Sequence, residues 1–284
     1  MSQPQALYLA PDQPPRIDWS QPWLAPYRLH GERVWARWAQ GVSVADALNE
    51  QLSGVVAWST LCAGQLRFVS QDDLPHGQAY ETFIFTNHRI PARNNLHDFF
   101  NGLVWLVFPG IKKFLNARHV AHLGRSIDGM KVGRRGSVRD ALTLFDENAA
   151  FLQGPAVLQD ALRRRDWTTL FKTERRLWSA CQLTLFGHAL LEKLCLPRKG
   201  ITAHVWLVPE GARDVMAVCE QLQDEPLQHK SWCPLPVLGV PGWWAANELD
   251  EFYDDDTVFR GCRVRAQMSF DLAAIKPAGY DDEK

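Results

Sequence analysis

The most apolar stretch of this 284-residue chain, Phe99 to Phe108, is interrupted from within by Asn101 and ended by Pro109. A membrane span needs about 20 consecutive apolar residues, so this stretch is too short to cross a bilayer and reads as a buried helix. Asn94 or Asn95 supplies its N-cap, because a short amide side chain accepts the free N–H groups of a first helical turn. Pro109 stops it, lacking an N–H and clashing with the preceding turn, and a second helical segment continues through Lys112 and Asn116. Burial then creates a demand. Asn94, His97, Asp98 and Asn101 fall along one helical stripe that Trp105 and Phe108 continue. An unpaired polar group in an apolar interior costs about 2 to 7 kcal/mol, so each needs a hydrogen bond, an ion pair or a metal. One reading is a polar network that orients the helix. The other is half of a ligand site, with His97 a metal ligand, Asp98 a catalytic carboxylate, and Asn94, Asn101 and Trp105 lining a pocket.

Around this helix the spacing predicts an α+β fold, predominantly helical with a small β region, in a single large domain. Residues 1–27, rich in proline and tryptophan, read as an extended N-terminal arm, residues 28–275 as the globular domain, and 276–284 as a flexible tail. Helical spacing covers Glu32 to Ala39 and resumes after Ser43, a capping hydroxyl. Leu66 to Val69 and Tyr80 to Ile90 read as strands, the latter from the alternation of Phe83 and Phe85. Arg125 to Gly136 reads as a basic loop, Ser137 as the start of a helix, and Trp167 to about Leu196 as the longest helix, capped by Asp166 and stopped by Pro197. Ile201 to Val208 and Val264 to Phe270 read as strands, Arg213 to Leu222 as a helix, and the proline-rich PLPVLGVPGWW as a fixed loop.

Composition narrows the partners. Lys and Arg total 31 against 32 Asp and Glu, so no global field draws the chain to nucleic acid or anionic lipid. The local clusters Arg125 to Arg139 and Arg163 to Arg165 carry no nucleic-acid-binding motif and read as solvated faces. The start MSQPQALYLAPDQPP lacks the basic, apolar and small-residue order of a secretory signal, and six separated cysteines contain no C-x-x-C pair. A cytoplasmic protein with reduced thiols and no membrane attachment is expected. A small molecule is the expected partner, and the oligomeric state is left open.

Three further constellations bear on chemistry. His188 and Glu192 stand i,i+4 and lean the same way; a core histidine is common, but a carboxylate beside it needs compensation, for which Lys193 and Arg93 are candidates. Asp146, Glu147 and Asn148 end a helix where carboxylates oppose the macrodipole, as a solvated end or as site residues. Gly133 to Ser137 offers Arg134 and Arg135 at a helix N-terminus, an arrangement suited to phosphate or carboxylate, or else an ordinary basic loop. In the tail, Trp243 and Trp244 either wall a pocket or plug the core, and Lys199, Thr202 and His204 are candidates to face the cavity of His188.

Several segments together resemble the bacterial domain-of-unknown-function family 3025. They are RNNLHDFFNGLVWLVFPGIKKFLN, GRRGSVRDALTLFDENAA, FGHALLEKL followed by PRKGITAH, and PLPVLGVPGWWAANELDEFYDDDTVFR, which cover most of residues 80 to 260. The resemblance implies no activity. The adjacent His97 and Asp98 also invite comparison with the HD phosphohydrolases, in which His76 or His88 and Asp146 would have to complete the metal site.

If these segments converge, His97, Asp146 and His188 become ligands for Zn, Mn or Fe. Asp98, Glu147 and Glu192 supply carboxylates for acid–base work, and Arg93, Arg134, Arg135 and Arg139 hold an anion. The expected function is then a metal-dependent hydrolase acting on an anionic small molecule. The alternative is a non-catalytic ligand- or protein-binding protein with a buried polar network.

Overall fold

The computed structural model describes residues 16–52, 66–124, 133–208 and 232–261. It shows a predominantly helical α+β domain. Eight α-helices alternate with six strands among the described residues: α1 (Arg28–Ala39), α2 (Val44–Asn49), β1 (Arg67–Ser70), α3 (Tyr80–Asn87), β2 (Arg89–Ala92), α4 (Leu96–Val107), α5 (Pro109–Gly124), α6 (Gly133–Asn148), β3 (Ala149–Gln153), α7 (Ala156–Arg164), β4 (Gln182–Leu185), α8 (His188–Lys193), β5 (Thr202–Leu207) and β6 (Cys233–Pro236). None of the described helices is long and apolar enough to cross a membrane.

The expected buried helix is α4, and it lies at the centre. Asn95 caps it by accepting from the Asp98 N–H at 2.8 Å, and it stops at Val107, two residues before Pro109 begins α5. Phe99, Phe100, Leu103 and Val104 are fully buried, and the helix packs against α2, α5 and α8. Ser43 caps α2 as the sequence indicates, accepting from the Asp46 N–H at 3.1 Å.

The four-stranded sheet runs in the order β4-β3-β5-β6, with β3 antiparallel to β4 and parallel to β5, and β5 antiparallel to β6. Ala149 to Leu152, an unbroken apolar run, forms the buried part of the inner strand β3, as a strand covered on both faces requires. The prolines at 234 and 236 sit in the edge strand β6, where a missing N–H breaks no ladder. A second sheet pairs β1 with β2 in parallel.

Four expectations give way. Tyr80 to Asn87 is a helix, because Tyr80, Phe83 and Ile84 share one face at helical spacing while Phe85 points to solvent; only Arg89 to Ala92 is strand. The reading of Trp167 to Leu196 as one helix fails. Asp166 does cap a turn, accepting from the Thr169 N–H at 3.0 Å, but a π-turn (Thr169–Thr173), a 3-10 helix (Arg175–Ala180), β4 and α8 follow. Leu183 and Leu185 obey strand pairing with β3 rather than the helical stripe. The helix expected from Ser137 begins at Gly133, so the glycine-flanked arginines at 134 and 135 lie in its first turns, and Ala149 and Ala150 have left it for β3. Finally, Trp23, Leu24 and Tyr27 are buried in the core, so this part of the supposed arm belongs to the domain. Tyr27 donates its hydroxyl to the Leu185 carbonyl at 2.6 Å. The helix expected over 213–222, the strand over 264–270 and the tail 276–284 lie outside the described residues.

Candidate functional site

Two histidines from helices more than 90 residues apart in sequence meet edge to edge. His97, in the first turn of α4, and His188, the first residue of α8, bring their Nε2 atoms to 3.1 Å, with ring centroids 4.5 Å apart. Gly187 makes this possible. A Cβ on it would lie 2.3 Å from the backbone oxygen of Glu147, so only glycine lets α8 start hard against the end of α6.

The far nitrogen of each ring is anchored. His97 Nδ1 lies 2.9 Å from Glu192 Oε2, one turn along α8 from His188. His188 Nδ1 lies 2.8 Å from the backbone carbonyl of Asp146. A carbonyl oxygen only accepts, so His188 carries its proton on Nδ1 and presents a lone pair from Nε2. A carboxylate likewise accepts, which puts a proton on His97 Nδ1. The hydrogen bond to Glu192 raises the His97 pKa, against the opposing effect of burial. Burial pushes His188 down to about 4, despite the nearby Asp146 carboxylate, and keeps it neutral near pH 7. Two lone pairs cannot face each other at this distance, and a proton on His97 Nε2 donated to His188 Nε2 satisfies the pair.

Behind His188 the polar chain continues inward. Asp146 accepts from Lys112 Nζ at 2.6 and 2.8 Å, and Lys112 also donates to Asn101 Oδ1 at 2.8 Å; Asn101 Nδ2 in turn donates to the Tyr80 hydroxyl at 3.0 Å. Burial opposes ionisation of Asp146, but the Lys112 ammonium and His188 outweigh it and hold its carboxyl below the usual range. Lys112 was legible in sequence only as one residue of a helical segment; nothing distinguishes it from Lys113 there. Its ammonium also lies 5.5 Å from the centre of the Trp105 ring, whose buried Nε1 has no hydrogen-bond partner among the described residues.

The remaining candidates divide. Asp98 is turned back from the pair to accept from the Arg93 backbone N–H and guanidinium at 2.7 to 3.1 Å, so the His-Asp dipeptide points in two directions. His76 and His88, invoked by the comparison with HD phosphohydrolases, are exposed, His88 at the end of α3. Glu192 takes His97 as its partner, whereas Lys193 donates to Asn148 and Arg93 serves Asp98. Glu147 contributes its backbone against Gly187, and Arg139 is exposed on α6. The side chains of Arg134 and Arg135 lie outside the described residues. Asn94 accepts from the Val44 N–H at 2.9 Å and, with Arg93, lines a small cavity of about 240 Å³. His204 stacks on Trp232 along β5, and Lys199 pairs with Asp255 at 3.2 Å; neither joins His188. Trp243 walls a larger cleft of about 860 Å³. Neither cavity is lined by His97, His188 or Glu192. Among the described residues no group of three or more His, Cys, Asp or Glu side chains is placed to hold a metal.

No curated protein and no solved structure matches the chain. A family model does, over residues 66–263, which contain α3 to α8 and both histidines; the chain belongs to the family of proteins of unknown function DUF3025.

Proposed function

We propose that His97 and His188 hold one divalent transition-metal ion and that the protein is a hydrolase acting on a small anionic molecule at this site. The observation that carries the reading is the paired anchoring: each Nδ1 is tied to an acceptor while both Nε2 atoms converge at 3.1 Å. Metal-bound histidines characteristically donate the other ring N–H to a carboxylate or a backbone carbonyl, which fixes tautomer and orientation. Two metal–nitrogen bonds of about 2.0 to 2.1 Å at a tetrahedral angle span roughly 3.4 Å, a few tenths more than the observed separation.

Such an ion, when bound, would lower the pKa of a coordinated water and supply a nucleophile near neutral pH. His97, 38% exposed, leaves the outer side of the pair open to a substrate. Arg93 is 58% exposed and spends Nε and Nη2 on Asp98. Its Nη1 edge is left to orient an anion. Glu192 and the Asp146 carbonyl fix the rings, and Lys112 neutralises the Asp146 carboxylate behind them.

The test is elemental analysis of purified protein beside His97→Ala and His188→Ala, each checked for folding by circular dichroism. The expected result is stoichiometric metal in the wild type, lost in both folded variants, with phosphoester or amide hydrolysis lost in parallel. No metal in any sample after reconstitution with Zn, Mn and Fe overturns it. That outcome favours a second reading, a binding protein whose pair shares a proton, and the observation behind it is that only two donor side chains meet among the described residues.

A further inference from the structure

The larger cleft is a different place with different chemistry. Cys181, Gln182 and Leu183, at and just before the start of β4, line it. The π-turn and 3-10 helix contribute Lys172, Arg175 and Arg176 to its lining, and Val240, Pro241, Trp243 and Pro22 line it as well. Its volume, about 860 Å³, lies within the roughly 300 to 1,000 Å³ of small-molecule sites.

Three cations and one carboxylate, Glu248, line it. They are held unequally. Arg175 is fixed by three acceptors, the Tyr253 hydroxyl at 2.9 Å, Asn247 Oδ1 at 3.1 Å and Glu248 Oε1 at 2.7 Å, and so is a rigid element of the wall. Lys172 pairs with the exposed Asp254 at 3.1 Å. Arg176 is exposed and makes no side-chain hydrogen bond or ion pair among the described residues. Two tryptophans, Trp178 and Trp243, line the same cleft. Trp243 is half-buried, backed by Trp23 at 6.0 Å, and its indole N–H has no partner among the described residues. Trp178 gives its N–H to the Leu170 carbonyl at 2.8 Å, which leaves only ring surface for a ligand. Cys181 does not make this a nucleophilic site, since burial pushes its thiol up to about 11 and keeps it protonated.

We infer that this cleft is a binding site for a small aromatic anion, its ring system laid against Trp243 and its phosphate or carboxylate group held by Arg176 with Arg175 behind. A guanidinium and an indole lining one cleft match a ligand with charge at one end and a flat apolar body at the other. The inference does not rest on the histidine site.

The test is isothermal titration of the full-length protein with 1-naphthyl phosphate, with 1-naphthol and inorganic phosphate as its two halves. The ester is expected to bind at least tenfold more tightly than either half and to change tryptophan fluorescence. Charge reversal of the exposed residue, Arg176→Glu, should weaken the ester at least tenfold with no change in Tm, while His97→Ala leaves its affinity unchanged. The inference is overturned if the ester binds no better than one of its halves, if Arg176→Glu binds it like the wild type, or if His97→Ala abolishes binding. Loss of metal from the wild type would sink the hydrolase reading and leave this one standing.

Discussion

His97 and His188 face each other through their Nε2 atoms at 3.1 Å, each held from behind by an acceptor that fixes its Nδ1 proton. The two environments are opposite in kind. His97 gains an anionic partner at a half-exposed position, whereas His188 loses solvent at a buried one. In chelator-treated protein their titrations should therefore separate. His97, raised above 6.5 by Glu192, adds stability that is complete below pH 6.5 and disappears as pH climbs through its folded value. His188 behaves in reverse: its neutral form is favoured, so its contribution is present above pH 6.5 and is lost as pH falls from there to about 4. NMR titration of the ring protons should show one histidine moving above 6.5 and the other below. Two unshifted titrations near 6.5 would contradict the geometry.

Lys112 and Asp146 form the buried end of the same chain, at 2.6 Å, with the lysine almost wholly enclosed. Removing one member strands a charge, which costs about 3 to 5 kcal/mol, whereas removing both leaves a site that can be apolar. Lys112→Met should lower the unfolding free energy by about that amount. Lys112→Met with Asp146→Leu should be more stable than the sum of the single losses. Urea denaturation of the four proteins measures the coupling, and strict additivity would show that the pair does not act as a unit.

The parts of this structure that could be read in advance are those fixed by a few neighbouring residues. Ser43, Asn95 and Pro109 act on backbone groups within one turn, so their effects follow from chemistry alone. Tyr80 to Ile90 misled because two alternating phenylalanines satisfy a strand and a helix equally over so short a run. Trp167 to Leu196 misled for a tertiary reason: the register of Leu183 and Leu185 is decided by β3, some 30 residues away. His97 and His188 each stood out as polar groups on apolar stripes. Their meeting depends on α8 starting directly after Gly187, and the choice of Lys112 over Lys113 as the buried cation depends on which way α5 faces. Neither is written in local spacing.

Tyr27 ties the N-terminal segment to β4, whose last residue precedes the first residue of α8 by three positions. Its hydroxyl is fully buried and donates to the Leu185 carbonyl at 2.6 Å. Tyr27→Phe keeps the ring and removes the donor, leaving a buried carbonyl without that partner, a loss of about 1 to 3 kcal/mol. Thermal unfolding should register it with no change in the native fold by circular dichroism. An unchanged Tm would mean that another group takes over that carbonyl.

Gly187 offers the sharpest test of how the site is held, because its φ of −61° is open to any residue and only space forbids a side chain. A Cβ there would fall 2.3 Å from Glu147 O and 2.5 Å from the Asn148 nitrogen, both backbone atoms that cannot rotate away. Gly187→Ala must therefore push α8 off the end of α6. Overpacking of this kind costs about 1 to 3 kcal/mol, and the same displacement draws His188 away from both the Asp146 carbonyl and His97. Stability and the histidine pair should fail together: a lower Tm, a His188 titration moved back toward 6.5, and loss of bound metal in the hydrolase reading. A variant that loses stability but keeps the separated titrations would show that the pair is positioned by α4 and α8 alone, without the contact between Gly187 and the end of α6.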